Sequence, residues 1–228
     1  MREIVFDTET TGLDPLKGDR IVEIGCIELY NTIPTGQTFH VYLDPERDMP
    51  EDAFRVHGLS REFLAGKPKF AEIAEEFLNF IGDAKLIAHN ADFDMRFVNA
   101  ELERCGRGRL GLDRVIDTLQ LARRRHPGAS NSLDALCARY GVDSSRRSRH
   151  GALLDSELLA EIYAELTGGR QAAMTLVEAT VTVEETVVFE ISARSEPIES
   201  LLTERELTAH AAFVERLGEK AIWLKYRT

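Results

Sequence analysis

Along its first half the chain alternates short apolar runs of two-residue period with longer runs of three- to four-residue period. "EIVFDTE" (3–9), "RIVEIGCIELY" (20–30) and "QTFHVYL" (37–43) are rich in Val, Ile and aromatic residues. They predict three strands, with links short enough for a meander. In "FAEIAEEFLNFI", Phe70, Ile73, Ala74, Phe77, Leu78 and Ile81 recur at helical spacing. "KLIAHN" (85–90) reads as a short buried strand, and "DFDMRFVNAELERCG" (92–106) as a helix stopped by Gly106. "VIDTLQLARRR" (115–125) and "SLDALCARYG" (132–141) predict two more helices, the second capped by Ser132 and stopped by Gly141. "ALLDSELLAEIYAELTGG" (152–169) completes the series, with Leu154, Leu158, Ile162 and Leu166 along one helical face. The pattern is α/β, a sheet covered by helices.

Gly168-Gly169 marks the expected end of this domain, residues 1–169, and 170–200 is expected to be a linker. Residues 177–204 carry seven acids and one Arg without a long helical period. Within them "TVTVEETVVFEI" reads either as a strand or as linker with β-propensity. Thr203-x-x-Glu206 then forms a capping box. The helix it opens has Leu207, Ala211, Val214 and Leu217 on one face and ends at Gly218, before the Trp-bearing "AIWLKY". A tail of this size, 201–228, is too short for its own core. It must dock on its own domain or, the favoured reading, on a partner.

Composition narrows the class. At 43% hydrophobic and 29% charged, the 228 residues describe a soluble globular protein, and a net charge of −11 argues against binding nucleic acid through net charge alone. The charge is uneven: residues 104–149 hold eleven Arg against four Asp. This segment is a solvated helical face, a path for a phosphate backbone or a face toward another protein. Cys26, Cys105 and Cys137 form no metal-binding pattern and are expected to be free thiols. No apolar run approaches the roughly 18 residues that span a bilayer. Strand-like residues begin at Glu3 with no leader pattern, so a cytoplasmic protein without a membrane partner is expected.

Asp7 and Glu9 end the first strand. Positions i and i+2 of a strand face the same side, so these two acids project together. Asp94 lies where a strand gives way to a helix, and Asp155 near the start of the last long helix. Four carboxylates converging at one sheet end require cations. Hard oxygen ligands suit two divalent ions, Mg²⁺ or Mn²⁺. Two such ions clamp the attacking and leaving oxygens of a phosphoryl displacement. His150, five residues before Asp155, is suited to take a proton from water at neutral pH.

The order D-x-E, H-N-x-x-F-D and H-x-x-x-x-D resembles the DEDD exonucleases, in the branch with a catalytic histidine. "FDTETTG", "IVEIG", "FHVYLDP", "AFRVHGL", "IAHNADFD", "NSLDALCARYG" and "HGALLDSELLAEIYAELTGG" further resemble the proofreading epsilon subunits of bacterial DNA polymerase III. The resemblance covers residues 2–169 and continues more loosely through the tail. It implies an RNase H-like mixed sheet flanked by helices and a metal-dependent 3′–5′ exonuclease that removes mismatched 3′-terminal nucleotides as nucleoside 5′-monophosphates. Asp7, Glu9 and Asp155 then hold one metal, Asp7 bridges to the second, Asp94 supports that second ion, and His150 is the general base.

Substrate contacts follow from the same resemblance. Asp52 stands where the family has a glutamate that meets the terminal 3′-hydroxyl; its shorter side chain implies a bridging water, or substitution by Glu51. His57 matches a position beside the terminal nucleotide. Thr10 and His89 match positions near its sugar and phosphate, although Thr10 also reads as a turn hydroxyl and His89 as a supporting histidine. "QAAMTL" resembles a peptide that binds the sliding clamp, with Gln171, Met174 and Leu176 as its anchors; it also reads as ordinary linker. The tail resembles the segment that binds the polymerase alpha subunit, and a small accessory subunit is a further possible partner. The rival readings are an exoribonuclease of the same superfamily and a non-catalytic tether between polymerase and clamp.

Overall fold

The structure is a computed structural model and describes residues 1–145, 147, 149–168 and 202–218. Five strands, β1 (Arg2–Thr10), β2 (Ile21–Tyr30), β3 (Ile33–Tyr42), β4 (Lys85–Ala88) and β5 (Val115–Asp117), form one sheet in the order β3-β2-β1-β4-β5. The β1–β2 and β2–β3 pairs are antiparallel, and β1–β4 and β4–β5 are parallel. The expected meander is therefore present, extended by two parallel strands into a mixed sheet. Asn31 and Thr32, both at positive φ, turn the chain between β2 and β3.

Strand alternation divides the core. Ile4 and Phe6 of β1 face one side, where they pack with Phe77 and Ile81 of α3 (Phe70–Ile81) and with Met95, Phe97 and Val98 of α4 (Ala91–Arg104). Val5 faces the other side with Ile27 and Ile87, against Leu159, Ala160 and Tyr163 of α7 (Ala152–Thr167). A neighbouring face of α7, through Leu158, Ile162 and Leu166, meets Ala122 of α5 (Thr118–Arg125) and Leu136 and Cys137 of α6 (Leu133–Tyr140). The expected stripe is thus buried against α5 and α6, and a second face, which the stripe does not include, meets the sheet. Ser132 Oγ accepts from Ala135 N at 3.3 Å and Gly141 adopts φ 69°, the cap and stop expected for α6.

One expectation needs correction, and one segment without an expected element acquires two. Val115–Asp117, expected to open a helix, is instead β5. The segment is three residues long and opens with two β-branched residues, Val115 and Ile116, and Asp117 serves both as the strand end and as the N-cap of α5, accepting from Leu119 N at 2.9 Å. The segment 44–69, given no helix from its periodicity, contains α1 (Glu51–His57) and α2 (Arg61–Leu64). Both are too short to show a period.

The chain divides into two compact units, Met1–Thr175 and Leu176–Thr228. In the second, α8 (Glu204–Leu217) carries the expected capping box, with Glu206 N donating to Thr203 Oγ1 at 3.3 Å and Thr203 N to Glu206 Oε2 at 2.8 Å. The possible strand at 180–191, the segment 221–226 and the peptide containing Gln171, Met174 and Leu176 lie outside the described residues. The three cysteines are free thiols.

Gly25 decides how closely α7 approaches the sheet. A Cβ at Gly25 would lie 2.3 Å from the backbone of Ala152 and Leu153, and Ser156 Oγ donates to the Gly25 carbonyl at 2.9 Å. Gly25 is also the cross-strand partner of Asp7. Gly25→Ala is expected to push the first turn of α7 outward and destabilise the fold by about 1–3 kcal/mol. A thermal scan should show a midpoint lower by at least about 2 °C; an unchanged midpoint would count against this contact.

Candidate active site

The alternation that sends Val5 toward α7 sends Asp7 and Glu9 to that side too, and Thr8 to the side of α4. Asp155, in the first turn of α7, meets the first pair. Asp94, in the first turn of α4, is met by Thr8, whose backbone N–H and Oγ1 donate to Asp94 Oδ1 at 3.1 and 2.7 Å. Asn90, at φ 66°, makes the left-handed turn that starts α4. Asp7, Glu9, Asp94, Asp155 and His150 consequently line one cleft of about 260 Å³, together with His89, Asn90, Ser132 and Arg147. Ligand atoms of Glu9, His150 and Asp155 all lie within 4.8 Å of one another.

The electrostatics follow from this crowding. Burial, then the charges of Asp94, Glu9 and Asp155, hold the Asp7 carboxyl well above the usual range. Burial first, then Asp155 and Glu23, push Glu9 up to about 8. Burial raises Asp94 to about 7 against the hydrogen bonds from Thr8. For Asp155 burial also opposes ionisation, but hydrogen bonds from His150 and Arg147 outweigh it and hold the carboxyl below its ordinary value. A cluster of oxygen donors this reluctant to ionise together is a fitting site for hard divalent cations.

Arg147 is a cleft residue that sequence reasoning did not single out. Its Nε and Nη2 donate to Asp155 Oδ1 and Oδ2 at 2.6 and 2.8 Å, and Nη1 donates to Asp134 on α6. Nη2 also lies 2.6 Å from His150 Nδ1, which in turn is 3.2 Å from Asp155 Oδ2. The residue stands in an Arg-rich run, and nothing in that run separates the arginine that turns inward from its neighbours.

The remaining expected residues are distributed unevenly. His89 lines the cleft, and its Nδ1 is 2.9 Å from Thr118 Oγ1. His57, at the end of α1, is buried; its Nδ1 accepts from Leu59 N at 3.0 Å, and Nε2 meets no hydrogen-bond partner among the described residues. His150 N donates to Val56 O at 3.3 Å, which ties the end of α1 to the histidine loop. Thr10 is buried, with Oγ1 donating to Gly12 O at 2.6 Å, and is not among the residues lining the cleft. Asp52 is exposed on α1, paired with Arg55, and is likewise outside the lining.

Carboxyls whose folded pKa exceeds the unfolded value near 4 favour the fold while protonated. That contribution is complete below about pH 4 and is lost as pH rises through about 7–8, the range of Asp94 and Glu9. Circular dichroism melts in EDTA should therefore show the thermal midpoint falling between about pH 5 and pH 8.5, with added Mn²⁺ restoring it at the upper end. A midpoint that rises across this window in EDTA would contradict the repulsion described here.

The model of the RNase_T exonuclease family matches residues 4–163. DNA polymerase III subunit epsilon of Rickettsia felis is 50% identical over 226 residues, which cover 97% of this chain and 99% of that relative. The corresponding subunit of Escherichia coli is 41% identical over 235 residues, with 97% of each chain covered. Among solved structures, the nuclease domain of 3′hExo, a DEDDh family member bound to rAMP, matches with a TM-score of 0.63 at 17% identity, covering 73% of this chain and 91% of that one. At that identity the likeness concerns the fold, the RNase H-like mixed sheet of the DEDD exonucleases. Motifs, fold and relatives agree: the chain belongs to the RNase_T exonuclease family, among the epsilon subunits of DNA polymerase III.

Proposed function

We propose that this chain is the proofreading 3′–5′ exonuclease of a replicative DNA polymerase, hydrolysing the terminal phosphodiester of a DNA strand. The observation that carries the reading is the convergence of four carboxylates and His150 in one cleft at the end of β1. Asp7, Glu9, Asp94 and Asp155 would hold two divalent cations, Mg²⁺ or Mn²⁺. When bound, these supply Lewis acidity at the scissile phosphate and offset the charge of the carboxylates.

The chain's own residues orient and move the proton. With Nδ1–H turned to Asp155 Oδ2, the His150 ring leaves Nε2 to accept the proton of the attacking water. That tautomer requires Arg147 to release Nδ1, because a guanidinium only donates. His57, with an unpartnered buried Nε2, is suited to a polar contact with the terminal nucleotide. His89 lies on the cleft wall for its sugar or phosphate. Roles for Thr10 and Asp52 rest on the family resemblance, Asp52 acting through water or through Glu51.

Residues 1–169 form the exonuclease domain on this reading, 170–200 the linker and 201–228 the tail that binds the polymerase alpha subunit. Leu207, Phe213 and Leu217 stay exposed on α8, an apolar surface suited to such a partner. Gln171, Met174 and Leu176 are the proposed clamp-binding anchors, and a small accessory subunit is a further proposed partner. The setting is the cytoplasm.

Asp7→Ala should abolish cleavage while leaving the circular dichroism spectrum of the fold. His150→Ala should slow the chemical step by about 10²–10⁴. Both are read on 5′-labelled DNA and RNA of one sequence, with Mg²⁺ or with EDTA. A metal-dependent ladder shortening from the 3′ end of DNA, faster than of RNA, is expected. Preferential digestion of RNA would move the chain to the exoribonucleases, and full activity of the Asp7 variant would reject the metal assignment. Deleting residues 177–228 should preserve the ladder and remove binding to the polymerase subunit; retained binding would reject the role of the tail.

A further inference from the structure

The arginines of the 104–149 segment are mostly engaged within the protein. Arg104 bonds Glu101, Arg107 pairs with Glu75, and Arg109 with Glu103. Arg114 donates to Gly82 O, Arg125 to Leu166 O, and Arg139 to Asn131 and Ser130. Arg147 is held by Asp155 and Asp134. Arg123 and Arg124, on α5, are exposed, and neither side chain has a hydrogen-bond or ion-pair partner among the described residues.

Arg123 also lines a second cleft of about 880 Å³. His89, Asn90 and Ser132 belong to the walls of both this cleft and the carboxylate cleft, so the two are continuous. Among the described residues no acidic one lines the second cleft, although the chain as a whole is acidic. Leu119 and Pro127 add apolar wall. The grooves beside Ile33 and Tyr140 and beside Met49 and Arg61 share no lining residue with the carboxylate cleft. A strand whose 3′ end occupies the carboxylates must leave toward its 5′ side, and the Arg123 cleft is a continuous way out with a cation beside it.

We propose that the cleft between α5 and the α5–α6 loop is the subsite for the nucleotides 5′ of the scissile bond, with Arg123 contacting a backbone phosphate. The inference rests on the exonuclease reading for its direction and narrows the phosphate path to one residue. Such a contact is ionic and independent of sequence, so it should act on affinity and salt dependence.

The first test is equilibrium binding of a fluorescent oligothymidylate of about twelve nucleotides in EDTA, which needs no turnover. Arg123→Ala should weaken binding about five-fold or more and flatten the salt slope by about 0.7, while Arg123→Lys keeps most of the affinity. Equal affinity in wild type and Arg123→Ala, or weaker binding with an unchanged salt slope, overturns the proposal. The second test follows KM with strand length in Mg²⁺. The Arg123→Ala penalty should grow from a dinucleotide to a strand of about six nucleotides. An equal penalty at both lengths places Arg123 at the terminal nucleotide and also overturns it. Absence of cleavage by the wild type would defeat the exonuclease reading, and the binding experiment would still decide the cleft.

Discussion

Everything at the site depends on how near a helix can come to a strand. Asp7 and Glu9 project from one face of β1, and a third carboxylate joins them only if α7 rests against the sheet beside them. Gly25, the neighbour of Asp7 on β2, permits that approach by having no side chain where the backbone of Ala152 and Leu153 lies. The Ser156 hydrogen bond to its carbonyl then sets the helix in place. On the other face Thr8 secures Asp94 with two hydrogen bonds. One strand thereby sorts the four acids by parity, two on its own residues and one from the helix on each face.

Gathering them has an electrostatic cost, and the protein distributes it unequally. Asp155 remains ionised because Arg147 and His150 stand against it, whereas Glu9 and Asp94 are pushed toward neutrality. The fold can bear this because the surrounding apolar core is extensive: Ile4, Phe6, Phe77 and Phe97 on one side of the sheet and Val5, Leu159 and Tyr163 on the other are nearly inaccessible. Such a site is primed for cations, since their binding removes repulsion as well as forming bonds.

Much of this was legible from local pattern. The parity of Asp7 and Glu9, the helix-start positions of Asp94 and Asp155, and the caps at Ser132 and Thr203 are properties of a few adjacent residues. Features that depend on distant partners were not. The short β5 exists because β4 pairs with it, and its three residues show no period of their own. The inward turn of Arg147 depends on Asp134 and Asp155 lying on two helices brought together by the fold. The exposure of Asp52 follows from the orientation of α1, which its sequence does not state. Only the packed structure shows which of the many arginines lack partners.

That last distinction bears on how an acidic chain handles an acidic polymer. A net charge of −11 and a cleft walled by carboxylates disfavour the approach of a phosphate backbone until cations are present. With most arginines of the basic segment bound internally, few are left to hold the strand. On the proposed reading this weakness is useful. A tail that binds the polymerase keeps the cleft at high effective concentration near the primer end, so intrinsic affinity for DNA can stay low. Low affinity in turn lets the strand leave once a mismatched end is removed. On that reading the carboxylates would act both as metal ligands and as a brake on idle binding, and the same charges that make the chemistry possible would keep it conditional on delivery by a partner.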